Sequence, residues 1–142
     1  MHVFYGSVDI MPSIGGAKYL ARPWMSQARQ DETVFKMLGQ KKGGYFIDLA
    51  ANDPVYLSNS YTLETEHSWN GLCIDGNPHL LDGLSFRKCH VVGAVVSKNR
   101  LEKISFATRM VPGNSIKHAA MAGIVGAGFD NTGKAKENAT AG

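Results

Sequence analysis

The chain has 142 residues, 44% of them hydrophobic and 19% charged, which suits one small globular domain with a buried core. Its net charge of +3 is scattered, with Lys41-Lys42 and Arg87-Lys88 as the only basic doublets; these read as solvated surface, not as the basic stripe with interleaved aromatics that nucleic acid requires. No apolar run approaches the ~20 residues that span a bilayer, and the stretch from Met1 to Gly16 lacks a basic segment followed by a continuous apolar one, so no membrane partner and a cytoplasmic location are expected.

Residues 1–25 read as an irregular arm. Val3-Phe4-Tyr5 suits a short strand, Pro12 and Gly15-Gly16 interrupt regular structure, and Pro23 ends any helix begun at Ala17. A helix is expected from Ser26 to Leu38, with Ser26 or Asp31 as N-cap, Asp31-Glu32 in the first turn and Gly39 as the stop. Val34, Phe35 and Leu38 share one face and are expected to pack on a sheet. Residues 44–49 form an apolar run broken only by Asp48, as in a central parallel strand. The turn Ala50-Ala51-Asn52-Asp53 follows. Pro54 suits a first helical position, and a helix is expected over Leu57–Trp69, with Leu57, Tyr61 and Glu64 on one face.

Asn70-Gly71 is a turn signal before a second strand, 71–75. Asn77-Pro78 then starts a helix as N-cap and first residue, burying Leu80, Leu81 and Leu84. A third strand is expected at 91–96, and Ile104–Ala107 suits a fourth at an edge. The glycine- and alanine-rich end closes in a tail, 132–142, with little to bury, which is expected to be flexible. Cys73 and Cys89 fall in or beside strands, where a reduced pair is expected. The five histidines show no metal-ligand spacing, and no metal is expected.

Short apolar runs separated by helix-length segments predict an α/β fold with parallel strands, whose ligand sits beyond their carboxyl ends. The polar residues gather there. Ala50 and Ala51 leave room for a ligand near the backbone, Asn52 and Asp53 present side chains, and the following helix is expected to aim free N–H groups at the same crevice. Asp75 is placed either to accept hydrogen bonds from a ribose or to cap the next helix, and Asn77 lies at the same edge. Asp48, inside its strand, can face the ligand or anchor the turn. Gly93-Ala94-Val95 offer a flat wall for an adenine ring. Neither G-x-G-x-x-G nor G-x-x-x-x-G-K-[ST] occurs, which argues against dinucleotides and nucleotide triphosphatases.

On these residues the chain resembles the FkbM family of S-adenosylmethionine-dependent methyltransferases. The matching pieces are SQARQD (Ser26 to Asp31), YFIDLAANDPVYLSNSYTLE (Tyr45 to Glu64), GLCIDGNPHLLDGL (Gly71 to Leu84) and VVGAVVS (Val91 to Ser97), with GIVGAGFDN (Gly123 to Asn131) similar to a later segment. The resemblance covers 26–131 and implies a Rossmann-like class I methyltransferase fold of three to four mainly parallel strands with flanking helices. It implies that Asp48, Ala50, Ala51, Asn52 and Asp53 line the methionine end of the cofactor, Asp75 and Asn77 its ribose, and Ala94 and Val95 its adenine. Gln27, Gln30, Asp31, Ser58, Asn59 and Tyr61 are implied as further cofactor or substrate contacts, Tyr61 being alternatively a core aromatic.

The implied reaction is methyl transfer from S-adenosylmethionine to an oxygen of a sugar or small metabolite. No general base stands out; His67, His79 and His90 read as surface or packing residues. Ala50 and Pro54 stand where the family has glycine, and no counterpart of the family's later acidic strand motif, DFLxxDVEG, is present. The sheet is therefore expected to be incomplete, with an exposed edge open to self-association. The alternative function is a remnant that binds adenosyl ligands weakly or serves as an interaction module.

Overall fold

A computed structural model describes residues 2–5, 22–99, 103–107 and 123–124. The remainder of the N-terminal arm (6–21), the segment 129–131 and the tail at 132–142 lie outside the described residues. The chain divides into two compact units, Met1–Val95 and Val96–Gly142.

In the first unit the elements run β1 (His2–Tyr5), α1 (Gln30–Met37), β2 (Tyr45–Leu49), α2 (Tyr61–His67), β3 (Asn70–Asp75), α3 (Pro78–Leu84) and β4 (His90–Gly93). The strands form one sheet in the order β1-β4-β3-β2. β2, β3 and β4 are mutually parallel, joined by α2 and α3, and β1 pairs antiparallel with β4 through Val3↔Val92 and Phe4↔Val91. This is the α/β arrangement that the apolar runs predict. Among the described residues no helix is long and apolar enough to cross a membrane.

Several expectations need correction. The third strand ends at Gly93, not Val96, so Ala94 and Val95 lie beyond it. β2 is an edge strand, not a central one. Its exposure alternates, with Tyr45, Ile47 and Leu49 63%, 63% and 57% exposed while Asp48 is buried. The first helix begins at Gln30, not Ser26, and buries Asp31 and Phe35, leaving Val34 and Leu38 exposed. The helix expected from Leu57 begins at Tyr61, so Pro54 lies in the preceding turn. The cause is local. The Asp53 carboxylate accepts the N–H groups of Val55 and Tyr56 at 2.9 and 2.6 Å, which fixes an Asx turn, and Leu57 takes φ 59° to bridge to Ser26. Only at Ser58 does a hydroxyl accept the N–H groups of Ser60 and Tyr61, at 3.4 and 3.2 Å, and start the helix.

The start of α3 is as expected: Asn77 caps it by accepting the His79 N–H at 3.1 Å, with Pro78 as first residue. Its buried side holds Leu80 and Leu84, with Leu81 half-buried.

Parallel register puts directly paired side chains on one face of the sheet. Asp48, Cys73 and Val91 share a face, and all are buried. The helices cover that face: a Cβ at Gly93 would lie 2.7 Å from Leu81 of α3, and Ser60, at the head of α2, bonds Asp48. The opposite face carries Tyr45, Ile47 and Leu49 beside half-buried Leu72, Ile74 and Val92.

A cluster of Phe35, Leu63 and Trp69, with Trp24 and Phe46 against it, packs α1 and α2 together. The His67 ring completes a triangle with Phe35 and Trp24, its centroid 3.8 and 5.4 Å from theirs, which are 5.7 Å apart. Trp69 fits because Gly44 has no side chain; a Cβ there would come within 2.6 Å of the indole. Cys73 and Cys89 are free, fully buried thiols with their sulfurs 2.7 Å apart. In the second unit, β5 (Phe106–Ala107) pairs antiparallel with β6 (Gly123–Ile124). The expected fourth strand thus belongs to a separate two-stranded sheet.

Candidate functional site

The site is built where β2 and β3 end. The chain leaves β2 through Ala50 at φ 56° and Asn52 at φ 59°, two left-handed residues that turn it back over the end of β3. Ala50 carries a methyl group at an angle that glycine adopts freely, a strain of about 1 kcal/mol. The turn is pinned to β3 twice: the Ala51 N–H donates to the Ile74 carbonyl at 3.1 Å, and the Asn52 N–H to Asp75 Oδ2 at 2.8 Å.

Asp75 ties this turn to the entry of α3 and to the end of β4. Its Oδ1 accepts the Asn77 N–H at 2.7 Å, which shapes the entry to α3, and its carbonyl accepts the Ala94 N–H at 3.0 Å. The turn 50–53, Asp75, Asn77 and Ala94 are therefore one hydrogen-bonded unit. The cap of α3 is Asn77 and not Asp75, whose carboxylate offers about four lone-pair directions, of which backbone N–H groups occupy two. Val95 follows Ala94, half-buried, just beyond β4.

Asp48 lies beneath the turn and is buried. Its Oδ2 accepts the Ser60 hydroxyl at 2.5 Å, and among the described residues Oδ1 has no hydrogen-bond partner. Burial raises its pKa above the ordinary carboxylate range, opposed by the Ser60 hydrogen bond and by Arg87, and reinforced by the nearby Asp75 charge. Burial likewise raises Asp53, against the two backbone N–H groups that its carboxylate accepts.

Arg87 is the residue that sequence reasoning missed. Read as half of a solvated basic doublet, it is fully buried. It ion-pairs with Glu64 at 3.0 Å, donates to Ser58 Oγ and Ser60 Oγ at 3.1 Å each, and lies 5.8 Å from the ring centroids of both Phe46 and Tyr61. Glu64 also accepts the Lys88 N–H at 2.9 Å. The only local hint was an acid on a helix face otherwise meant for the core.

The other expected contacts separate. Ser58 caps α2 and meets Arg87, and half-buried Tyr61 packs against the same guanidinium. Burial pushes the Tyr61 phenol up. Asp31 is buried and engaged structurally: it accepts the N–H groups of Met25, Ser26 and Glu32 and the Ser26 hydroxyl. Gln30 is exposed and holds the Ala28 N–H, and Gln27 and Asn59 are exposed. Of the N–H groups between the turn and α2, those of Val55, Tyr56, Ser60 and Tyr61 are already accepted by Asp53 and Ser58. A cavity of about 560 Å³ runs along α2 and the 22–25 segment, with no residue of the 50–53 turn in its wall.

Among the described residues no group of three or more His, Cys, Asp or Glu side chains is placed to hold a metal ion. Comparison of the chain with protein-family models, with curated proteins and with solved structures finds no match.

Proposed function

We propose that this crevice binds S-adenosylmethionine and that the protein is a Rossmann-like, FkbM-type methyltransferase acting on a hydroxyl of a sugar or small metabolite in the cytoplasm. The observation that carries the reading is the 2.8 Å hydrogen bond from the Asn52 N–H to Asp75 Oδ2, which joins the turn after one parallel strand to the acid ending the next. Ligands of open α/β sheets bind at such carboxyl ends, and an acid at this place suits ribose hydroxyls.

The residues present fit the group. Asp75 keeps acceptor capacity for the ribose, Ala50 and Ala51 keep the turn small, and Asp48 Oδ1 offers negative charge to the cationic methionine end. The bound cofactor supplies a methyl group on an activated sulfonium. The protein binds and orients it and excludes water.

Calorimetric titration of the chain with S-adenosylmethionine and S-adenosylhomocysteine tests the reading. Binding is expected, and Asp75→Ala is expected to weaken it at least ~10-fold, the loss of hydrogen bonds to a charged group. Unchanged binding by Asp75→Ala would remove the ribose assignment. A methyl-transfer assay then separates catalysis from the second reading, an adenosyl-binding or interaction module without turnover. That second reading draws on the strained Ala50 and on the open edge of β2.

A further inference from the structure

We propose that Ser60 is a positioning residue of this site, its hydroxyl oriented by the buried Arg87 and holding the Asp48 carboxylate in place beneath the 50–53 turn. The functional consequence rests on the adenosyl-binding reading; the positioning itself rests on geometry alone.

A serine hydroxyl has one proton and can swing between staggered positions. Here Arg87 Nη2 donates to Ser60 Oγ at 3.1 Å, so the hydroxyl proton must point elsewhere, and Asp48 Oδ2 at 2.5 Å is the acceptor it meets. The direction is imposed from further back. Glu64 clamps the guanidinium through Nη2 at 3.0 Å and Nε at 3.5 Å, while Ser58 holds Nη1. A one-way series of donors therefore runs from Arg87 to Ser60 to Asp48. It ends on the Asp48 carboxylate, bound through Oδ2.

Ser60 is also the N-cap residue of α2, yet its hydroxyl makes no cap hydrogen bond. Ser58 takes that role, which releases the Ser60 hydroxyl for Asp48. The groups that act on Asp48 are Ser60 at the head of α2, Cys73 and Asp75 of β3, and Arg87 before β4; Glu64 and Cys89 lie one contact further out, against Arg87 and Cys73. Of these, Ser60 alone is a neutral donor bonded to it directly.

The test is a carbon-13 titration of the Asp48 carboxyl in the full chain without ligand, comparing the parent with Ser60→Ala and Ser60→Thr. Ser60→Ala is expected to move the Asp48 midpoint to higher pH, and Ser60→Thr, which keeps the hydroxyl, to restore it. Should Ser60→Ala fail to fold, Ser60→Cys, near in size and a weak donor, carries the same comparison. A folded variant whose stability falls while the Asp48 midpoint stays put overturns the proposal and leaves Ser60 a packing residue. Binding of S-adenosylhomocysteine is measured alongside. Ser60→Ala is expected to weaken it about 10-fold, most strongly on the acid side, with recovery in Ser60→Thr. If the parent binds nothing, the adenosyl reading fails, and the titration still decides the positioning.

Discussion

The two faces of the sheet treat polarity in opposite ways. On the face covered by α2 and α3, Arg87, Glu64 and Asp48 are withdrawn from water, each with a partner. On the other, Tyr45, Ile47 and Leu49 stand more than half exposed on an edge strand. Hydrophobicity alone would have reversed the arrangement. Two crossovers stepping the same way across a sheet place both helices on one side when each is right-handed, so both fill the same face. The charged residues are tolerated because the covered side satisfies them with one another.

The contrast is broken most severely from the covered side. Glu64→Ala leaves the Arg87 guanidinium buried without its counter-charge, and about 3–5 kcal/mol of stability is expected to be lost in denaturant unfolding. The double variant Glu64→Leu, Arg87→Met sharpens the point: it removes both charges and is expected to cost far less than Glu64→Ala. A smaller effect is expected at Asp48. Burial holds its folded pKa above the unfolded value, so the folded state keeps a proton that the unfolded state has lost, and stability falls as pH rises from the ordinary carboxylate value through the raised one. Asp48→Asn removes that penalty. Thermal melts should therefore show the variant gaining on the parent above this window and matching it below.

Ala50→Gly is expected to stabilise by roughly 0.5–1 kcal/mol, because relief of the left-handed strain exceeds the added freedom of the unfolded chain; a melting-temperature comparison checks it. The smallest change is expected on the uncovered face. Ile47→Thr keeps the β-branch and loses little burial, so a shift within about 0.5 kcal/mol is expected. A loss of several times that size would mean that Ile47 is covered in solution.

Legibility in the sequence followed the range of the interactions. Asn77-Pro78 could be read because a cap needs only neighbouring residues. The three parallel strands could be located because each is a short apolar run, although the third stops at Gly93 and not at Val96. The start of α2 could not, since Asp53 takes up the backbone N–H groups just after Pro54, a residue that favours a helix start. The place of β2 in the sheet could not either: an apolar strand shows what it tolerates on both faces, not what covers them. At the site, Asp75 and the 50–53 turn were legible as strand-end signals, whereas Arg87 was not, because its meaning depends on Ser58, Ser60 and Glu64, 23 or more positions away.

Cys73 and Cys89 are the only thiols in the chain, and neither touches solvent. An alkylating reagent such as iodoacetamide can reach them only when β3 and the start of β4 part company. The pace of labelling then becomes a stopwatch for that separation, carried by the protein's own sulfur and requiring no added probe.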